Sequence, residues 1–275
     1  MGDACSIIII FYFYFSTTVG AMLLRANHGL KHNHLQRPRK FSLATLFTRL
    51  SSSDIMKRDI EIELHTSGYP FVIGVDEAGR GPLAGPVVAA ALVCLPSHKN
   101  LLPAADSKVL SPKKRMEIYD SIKDDPTILF ASTMISNLEI DRINILQATL
   151  LAMQTSVELV LNNNQSPLYQ NLEKCYCVVD GNKSPKLDIK TRPIVKGDSL
   201  VYCIALASII AKVERDMIML QLDNTYPEYG FAKHKGYPTK DHILALHKYG
   251  PCAVHRFSFK PVKGRIPISS PDIAT

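Results

Sequence analysis

Four carboxylates stand where this 275-residue chain could do chemistry. Asp76 and Glu77 close the apolar run Phe71-Val72-Ile73-Gly74-Val75, whose β-branched content predicts a buried strand. Asp180 closes a second such run, Cys175 to Val179, and Asp198 follows a short predicted strand over Ile194 to Lys196. In an open α/β sheet, a polar residue just past the carboxyl end of a strand sits where ligands bind. Asp76 and Asp180 are 104 residues apart. If their strands are neighbours, the two carboxylates meet at one sheet edge, and Glu77 and Asp198 complete a group of four. Like charges gathered this way are costly unless cations neutralise them. An all-oxygen donor set suits Mg²⁺ or Mn²⁺, whereas zinc would want Cys or His. Two such ions, roughly 3.5–4 Å apart, activate a water and stabilise the leaving oxygen of a phosphodiester. One Asp at a strand end is more often a turn or cap residue, so the argument rests on all four together.

Behind the first pair of acids comes a loop with Gly at 79, 81 and 85 and Pro at 82 and 86. It suits close approach of backbone to a ligand, and Gly79-Arg80-Gly81 is placed to meet something anionic. A Gly-X-Gly by itself is a weak signal for a glycine-rich turn with a solvated Arg. Lys108, Lys196 and Lys212 are candidate phosphate contacts, although each alone reads as a solvated surface charge. No Gly-x-x-x-x-Gly-Lys-Ser/Thr is present, which excludes a P-loop enzyme.

The elements that must hold these residues alternate along the chain. After the first strand, Val87 to Leu95 is a second apolar run and the expected antiparallel neighbour. Leu102 to Val109 is expected as loop. Ser111-Pro112 opens a helix to about Lys123 as N-cap and first helical residue. Thr127 to Ile135 is a strand. Ser136-Asn137-Leu138-Glu139 has the form of a capping box before one long amphipathic helix ending near Leu161. A long apolar helix follows Ser199 and runs to about Leu222, and a short one spans Thr239 to Lys248. The expected fold class is α/β, with a mixed sheet flanked by helices and a helical C-terminal extension.

Hydrophobic residues at 46% and charged residues at 21% describe an ordinary globular protein. The net charge of +7 is unevenly spread. Residues 22–58 carry eight Lys/Arg against one acid, residues 59–179 nine against fourteen, and residues 180–265 fifteen against eight. The basic last third is the part that points to a polyanion. The six cysteines show neither zinc-site spacing nor a dense secreted framework and read as buried reduced thiols. Residues 7–24 are nearly continuously apolar, but no Lys or Arg precedes them and Asp3 does, so the basic start of a secretory signal is missing. From Met22, a candidate true start, to Arg58 the composition is basic, Ser- and His-containing and almost free of acid, like a mitochondrial or chloroplast transit peptide. The expected organisation is a leader over 1–58, a catalytic domain over 59–265 and a tail over 266–275. The expected location is mitochondrion or chloroplast, with cytoplasm or nucleus as the alternative.

The sequence Gly74-Val75-Asp76-Glu77-Ala78-Gly79-Arg80-Gly81-Pro82-Leu83-Ala84-Gly85-Pro86-Val87-Val88 strongly resembles the opening motif of ribonuclease HII. The resemblance continues, in order, at Asp106-Ser107-Lys108, Asp180-Gly181-Asn182 and Val195-Lys196-Gly197-Asp198-Ser199. It runs on through Ala207 to Val213, Arg215-Asp216, Tyr229-Gly230-Phe231 and His234-Lys235-Gly236-Tyr237, covering about residues 70–264. It implies a ribonuclease H-like core, catalytic metal ligands at Asp76, Glu77, Asp180 and Asp198, and Mg²⁺ or Mn²⁺ as cofactor. It also implies substrate contacts from Gly79, Arg80, Gly81, Ser107, Lys108, Lys196 and Tyr237. The glycine loop would reach the 2′-hydroxyl that separates RNA from DNA, and Tyr237 would stack on the sugar on the DNA side of an RNA–DNA junction. Arg80 also sorts the chain within its relatives, since the similar ribonuclease HIII pattern typically has Thr there. His234 is a minor candidate for a proton shuttle. The expected activity is endonucleolytic: hydrolysis of the RNA strand of RNA–DNA hybrids and incision at ribonucleotides in duplex DNA, by a monomer with no membrane in its mature form, in DNA replication and repair. The alternatives are a catalytically silent nucleic-acid-binding member of the fold, against which the full carboxylate set argues, and a related metal-dependent DNA nuclease, against which the Gly-Arg-Gly loop and Tyr237 argue.

Overall fold

The computed structural model describes residues 12–13, 58–99, 101–103, 110–163 and 166–264. Ser107 and Lys108, nearly all of the predicted leader, Arg265 and the predicted tail over 266–275 lie outside the described residues. The sheet has the order β1-β4-β3-β2-β5-β6. Its strands are β1 (Tyr12–Phe13), β2 (Phe71–Ala78), β3 (Val87–Cys94), β4 (Ile128–Ile135), β5 (Cys175–Asp180) and β6 (Lys190–Ile194). β2, β3 and β4 form an antiparallel meander, β5 and β6 add to β2 in parallel, and the two-residue β1 pairs antiparallel with β4. The mixed α/β sheet flanked by helices is therefore as expected.

Alternation of side chains gives the sheet two apolar faces. Val72, Ala90, Leu92 and Val178 pack on one face against α6 (Tyr202–Thr225) and α2 (Pro112–Asp124). Ile73, Val75, Ala89, Ala91, Cys177 and Val179 pack on the other against α4 (Ile145–Leu161). β3 is buried along its whole length, so its run of Ala89, Ala90 and Ala91 lets helices approach from both sides. Gly74 meets the same demand more sharply. A Cβ there would stand 2.3 Å from the carbonyl carbon of Cys203 and 2.4 Å from the nitrogen of Ile204. The first turn of α6 thus rests directly on the backbone of β2. No side chain of its own caps that turn; Glu61, buried on α1 (Asp59–Thr66), accepts the Cys203 N–H at 3.0 Å instead.

Ser111 caps α2 with Pro112 at its first position, as expected, accepting from Lys114 N at 3.2 Å. The single long helix expected to end near Leu161 is instead two: α3 (Asn137–Ile143) and α4, bent by 117°. Asn144 makes the break, with φ 67°, while its side-chain oxygen accepts from Leu146 N and Gln147 N and so starts a second helix. The predicted capping box is half-formed. Ser136 caps Glu139 N, but the Glu139 carboxylate pairs with Arg142. The strand expected at Ile194 to Lys196 lies earlier, at Lys190–Ile194, where an edge position tolerates Pro193 and the left-handed Lys196 (φ 59°) stops it. Cys94, Cys175, Cys177, Cys203 and Cys252 are free and buried. Among the described residues no single helix is long and apolar enough to cross a membrane.

Gly74→Ala is expected to lift the start of α6 from β2, at a cost of roughly 1–3 kcal/mol or more for overpacking. At about 2–4 °C per kcal/mol for a domain of this size, calorimetry should register a clear drop in Tm. An unchanged Tm would contradict the close approach.

Candidate active site

The parallel register of β2 and β5 ends at Val75 opposite Val179, which brings the next residues, Asp76 and Asp180, to one edge of the sheet. The acids are not past the end of β2, as the sequence suggested. They lie within it, still paired with Ala90 and Ala89 of β3 after the pairing to β5 has stopped. Alternation then separates them: Asp76 falls on the α6 face and Glu77 on the α4 face. Asp198 arrives from the short α5 (Gly197–Leu200), where its backbone N–H points to Asp180 Oδ1 at 3.4 Å. Gly197 permits that approach, since a Cβ would come within 2.7 Å of Ile204 and 3.3 Å of Asp180 Oδ1.

Asp76 is 5% exposed. Burial, then the charges of Glu77 and Asp180, push its carboxyl well above the ordinary range, while hydrogen bonds from Ser208 and the Glu77 N–H pull it back. Glu77 is also raised by burial, against the pull of Arg80, whose guanidinium lies 3.3 Å from Glu77 Oε1. Among the described residues no three His, Cys, Asp or Glu side chains converge tightly enough to enclose a metal ion. The chemistry of the four carboxylates nonetheless fits a hard divalent cation: the donors are all oxygen, and Asp76, buried beside like charges, disfavours its own charge until a cation neutralises it. A cleft of about 190 Å³ opens beside Glu77 and Asp180, walled by Leu146, Leu150 and Met153 and rimmed by Arg80 and Lys183.

The glycine loop after the acids is held by two fully buried arginines. Arg215 on α6 donates to the carbonyls of Pro86 (3.0 Å), Ala84 (3.2 Å) and Lys235 (3.0 Å). Arg256 donates to those of Gly85 (3.0 Å), Arg80 (3.0 Å), Gly79 (2.6 Å) and Pro86 (3.1 Å). Burial lowers both, to about 10 for Arg215 and about 9 for Arg256, so both remain cations at neutral pH. Gly79, at φ 103°, leaves its missing Cβ 2.1 Å from Arg215 Nε, a space that only glycine vacates. Sequence reasoning assigned Arg215 no role and did not single out Arg256; neither stands in a spacing pattern that marks a clamp.

Tyr237 comes from the loop between the short α7 (Phe231–His234) and α8 (Lys240–Tyr249). Tyr237 is 40% exposed and its ring lies 3.7 Å from where a Gly81 Cβ would sit, so the predicted glycine loop and tyrosine do meet. Lys212 Nζ lies 5.9 Å from the ring centroid and 2.8 Å from Asp216, a local pair rather than a free cation. Lys196 is exposed at the left-handed turn before α5. Both ring nitrogens of His234, the minor shuttle candidate, are engaged by backbone: its Nε2 contacts the Tyr229 carbonyl at 2.8 Å and its Nδ1 accepts from Gly236 N at 3.2 Å.

Residues 73–262 match the family model for ribonuclease HII. The chain is 46% identical over 202 residues to the ribonuclease HII of Caldicellulosiruptor bescii, covering 73% of this chain and 92% of that one. It is 49% identical over 193 residues to that of Francisella tularensis subsp. tularensis, covering 70% and 97%. The crystal structure of the ribonuclease H2 from Pyrococcus horikoshii OT3 is similar over 70% of this chain and 95% of that one, with a TM-score of 0.53 and 26% identity.

Arg256→Lys is expected to destabilise the protein, because one ammonium cannot reproduce a planar fork serving four carbonyls. Each buried carbonyl left without a donor costs about 1–3 kcal/mol. Urea unfolding should show a lower midpoint with an unchanged slope; a wild-type midpoint would mean that the clamp is not structural.

Proposed function

The chain belongs to the ribonuclease HII family of nuclease hydrolases, and on that premise we propose that it is an endoribonuclease. It cuts the RNA strand of RNA–DNA hybrids and incises at ribonucleotides embedded in duplex DNA, leaving 5′-phosphate and 3′-hydroxyl ends. The observation that carries this reading is one juxtaposition. The carboxylate edge of Asp76 and Asp180 runs straight into the Gly79-Arg80-Gly81 loop, and the exposed ring of Tyr237 lies against that loop. Chemistry, backbone reading and an aromatic face are thus continuous.

Asp76, Glu77, Asp180 and Asp198 would hold two divalent cations, Mg²⁺ or Mn²⁺, which when bound supply activation of water and neutralisation of charge at the scissile phosphate. The protein's own residues supply the rest. Ser208 and the Glu77 N–H fix the Asp76 carboxylate through hydrogen bonds. The Asp198 N–H does the same for Asp180. Clamped by Arg215 and Arg256, the glycine loop presents backbone without side-chain bulk, which suits contact with a 2′-hydroxyl. The Tyr237 ring offers a stacking face beside it, and Arg80 and Lys196 add positive charge for the phosphates.

The deciding assay compares three duplexes: all-DNA, single-ribonucleotide and RNA–DNA hybrid. Wild-type protein with Mg²⁺ or Mn²⁺ should cut the second and third only. Asp180→Asn should fold normally and lose nearly all cleavage, because a neutral amide is a poor ligand for a hard cation. Cutting of the all-DNA duplex would favour a DNA nuclease, and no cutting with tight binding would favour a silent member. Tyr237→Ala should reduce cleavage roughly ten- to a hundredfold, for a stacking contact on the order of 1–3 kcal/mol. The loss should be greatest on the single-ribonucleotide duplex, where the junction is the only cue.

The raised carboxyl of Asp76 has a further consequence. Its folded-state value lies above the ordinary 3.8, so the folded state favours the protonated form. Stability from this group is full at low pH and is lost as pH rises through the raised value. A bound cation reverses the penalty by stabilising the ionised form. Thermal unfolding should therefore show a larger Mg²⁺- or Mn²⁺-induced rise in Tm at neutral than at mildly acidic pH. An equal rise at both would place the cation elsewhere.

A further inference from the structure

Beneath Tyr237 lie three buried histidines that the hydrolysis does not use: His234, His242 and His255. Their hydrogen bonds can be followed proton by proton. His255 Nδ1 is 3.0 Å from the backbone nitrogen of Cys252. A backbone N–H only donates, so Nδ1 accepts and the proton of His255 sits on Nε2. That Nε2 is 3.0 Å from Nε2 of His242. His242 must therefore accept there and carry its own proton on Nδ1, which lies 2.9 Å from the Tyr237 carbonyl. The chain runs one way: Cys252 N–H to His255, His255 to His242, His242 to Tyr237.

One tautomer of each ring satisfies this arrangement, and both rings must be neutral. Were either doubly protonated, two N–H groups would face each other across 3.0 Å or an N–H would face the Cys252 N–H. Burial keeps them neutral, lowering His242 to about 4 and His255 to about 3. The surroundings fix the rings in place. His234 stacks on His242 at 4.5 Å and 13°, and Phe231 meets His242 edge-on at 5.6 Å. The backbone beside Tyr237 is held from two other directions: Arg215 takes the Lys235 carbonyl, and Leu83 N of the glycine loop takes that of Gly236 at 2.8 Å. Tyr237 itself is tied within its own turn, its N–H to the His234 carbonyl at 2.9 Å and its carbonyl to Thr239 N at 2.8 Å, and the histidine relay adds a second donor to that carbonyl.

We propose that His255 and His242 are positioning residues for the nuclease reaction, a neutral imidazole relay that sets the Tyr237 ring against the glycine loop and so governs discrimination at an RNA–DNA junction. The relay rests on the junction-reading role given to Tyr237 above. Neither histidine touches substrate. The relay acts through the Tyr237 carbonyl, and its loss lets the tyrosine loop drift while the carboxylate edge stays in place.

The test has a functional arm and a spectroscopic arm. In the first, kcat/KM is measured on single-ribonucleotide and all-RNA hybrid duplexes for wild type, His242→Leu, His242→Gln, Tyr237→Ala and the Tyr237→Ala/His242→Leu double variant. His242→Leu should lower the single-ribonucleotide value about tenfold, the equivalent of 1.4 kcal/mol, with a much smaller loss on the hybrid. His242→Gln, which keeps one donor and one acceptor, should recover most of it. The double variant should be no worse than Tyr237→Ala alone, because both changes act through one ring. Equal losses on both substrates, or additive losses in the double variant, would overturn the relay. If Tyr237→Ala leaves the substrate ratio unchanged, the junction-reading role itself fails. If it shifts the ratio and His242→Leu does not, the relay alone fails. In the second arm, ¹⁵N-edited NMR of the wild-type protein should show His242 protonated on Nδ1 and His255 on Nε2. This measurement stands even if His242→Leu does not fold, and the opposite tautomers or an imidazolium at neutral pH would overturn the proposal.

Discussion

The structure depends on two cations that have no counter-ion in the hydrogen bonds described. Arg215 and Arg256 are fully buried, and both guanidinium groups spend their protons on backbone carbonyls rather than carboxylates. Burying a charge this way is costly unless every donor finds an acceptor. Apart from the Lys235 carbonyl taken by Arg215, the acceptors are carbonyls between Gly79 and Pro86, a segment too irregular to satisfy them in a sheet or helix. Each side thus solves the other's problem. The loop gives the arginines a ring of oxygen dipoles, and the arginines give the loop one conformation. The separation of 177 residues between Gly79 and Arg256 makes this long-range closure, not local turn chemistry.

How Arg256 reaches the loop follows from the bend at Asn144. Because α3 turns away from α4, it crosses the path of the last described segment and holds it. Asn137 donates to the carbonyls of Ala253 and His255 at 2.9 and 3.0 Å. Asp141 accepts from Phe257 N at 2.7 Å and Ser258 N at 2.9 Å. The residues on either side of Arg256 are thereby fixed to α3, and the guanidinium is aimed inward. A straight helix over 137–161 would take these bonds away and leave the segment tied only by its own backbone contacts to the glycine loop, Arg256 N to the Leu83 carbonyl at 2.8 Å and Gly85 N to the Val254 carbonyl at 2.9 Å.

Much of this was legible in the sequence, and the remainder fails to be legible for identifiable reasons. Short β-branched runs ending in Asp76 and Asp180 announce themselves, because strand burial and a terminal charge are both local signals. The pairing that brings those strands together was only conditional on the page, and the parallel register supplies it. The Asn144 break was missed because apolar periodicity continues through it; only a left-handed backbone and a side chain turned to cap the next helix reveal it. The strand at Lys190–Ile194 was displaced because edge pairing tolerates charge and proline that a central strand would not. Glu61, Arg215 and Arg256 look like surface charges in any composition count. Their roles exist only once distant backbone has been folded around them.

The Arg256 clamp also sets an order of assembly. A chain made from its N-terminus emerges with β2 and the glycine loop early and Arg256 late. Until then Arg215 can take the Ala84 and Pro86 carbonyls, but those of Gly79, Arg80 and Gly85 lack their guanidinium partner, and Gly79 and Gly85 leave the segment free to wander. The scissors are forged first and riveted last. A nascent or prematurely terminated chain would carry the strand that bears the acids without the fixed loop beside it, so a half-made product is a poor nuclease by construction.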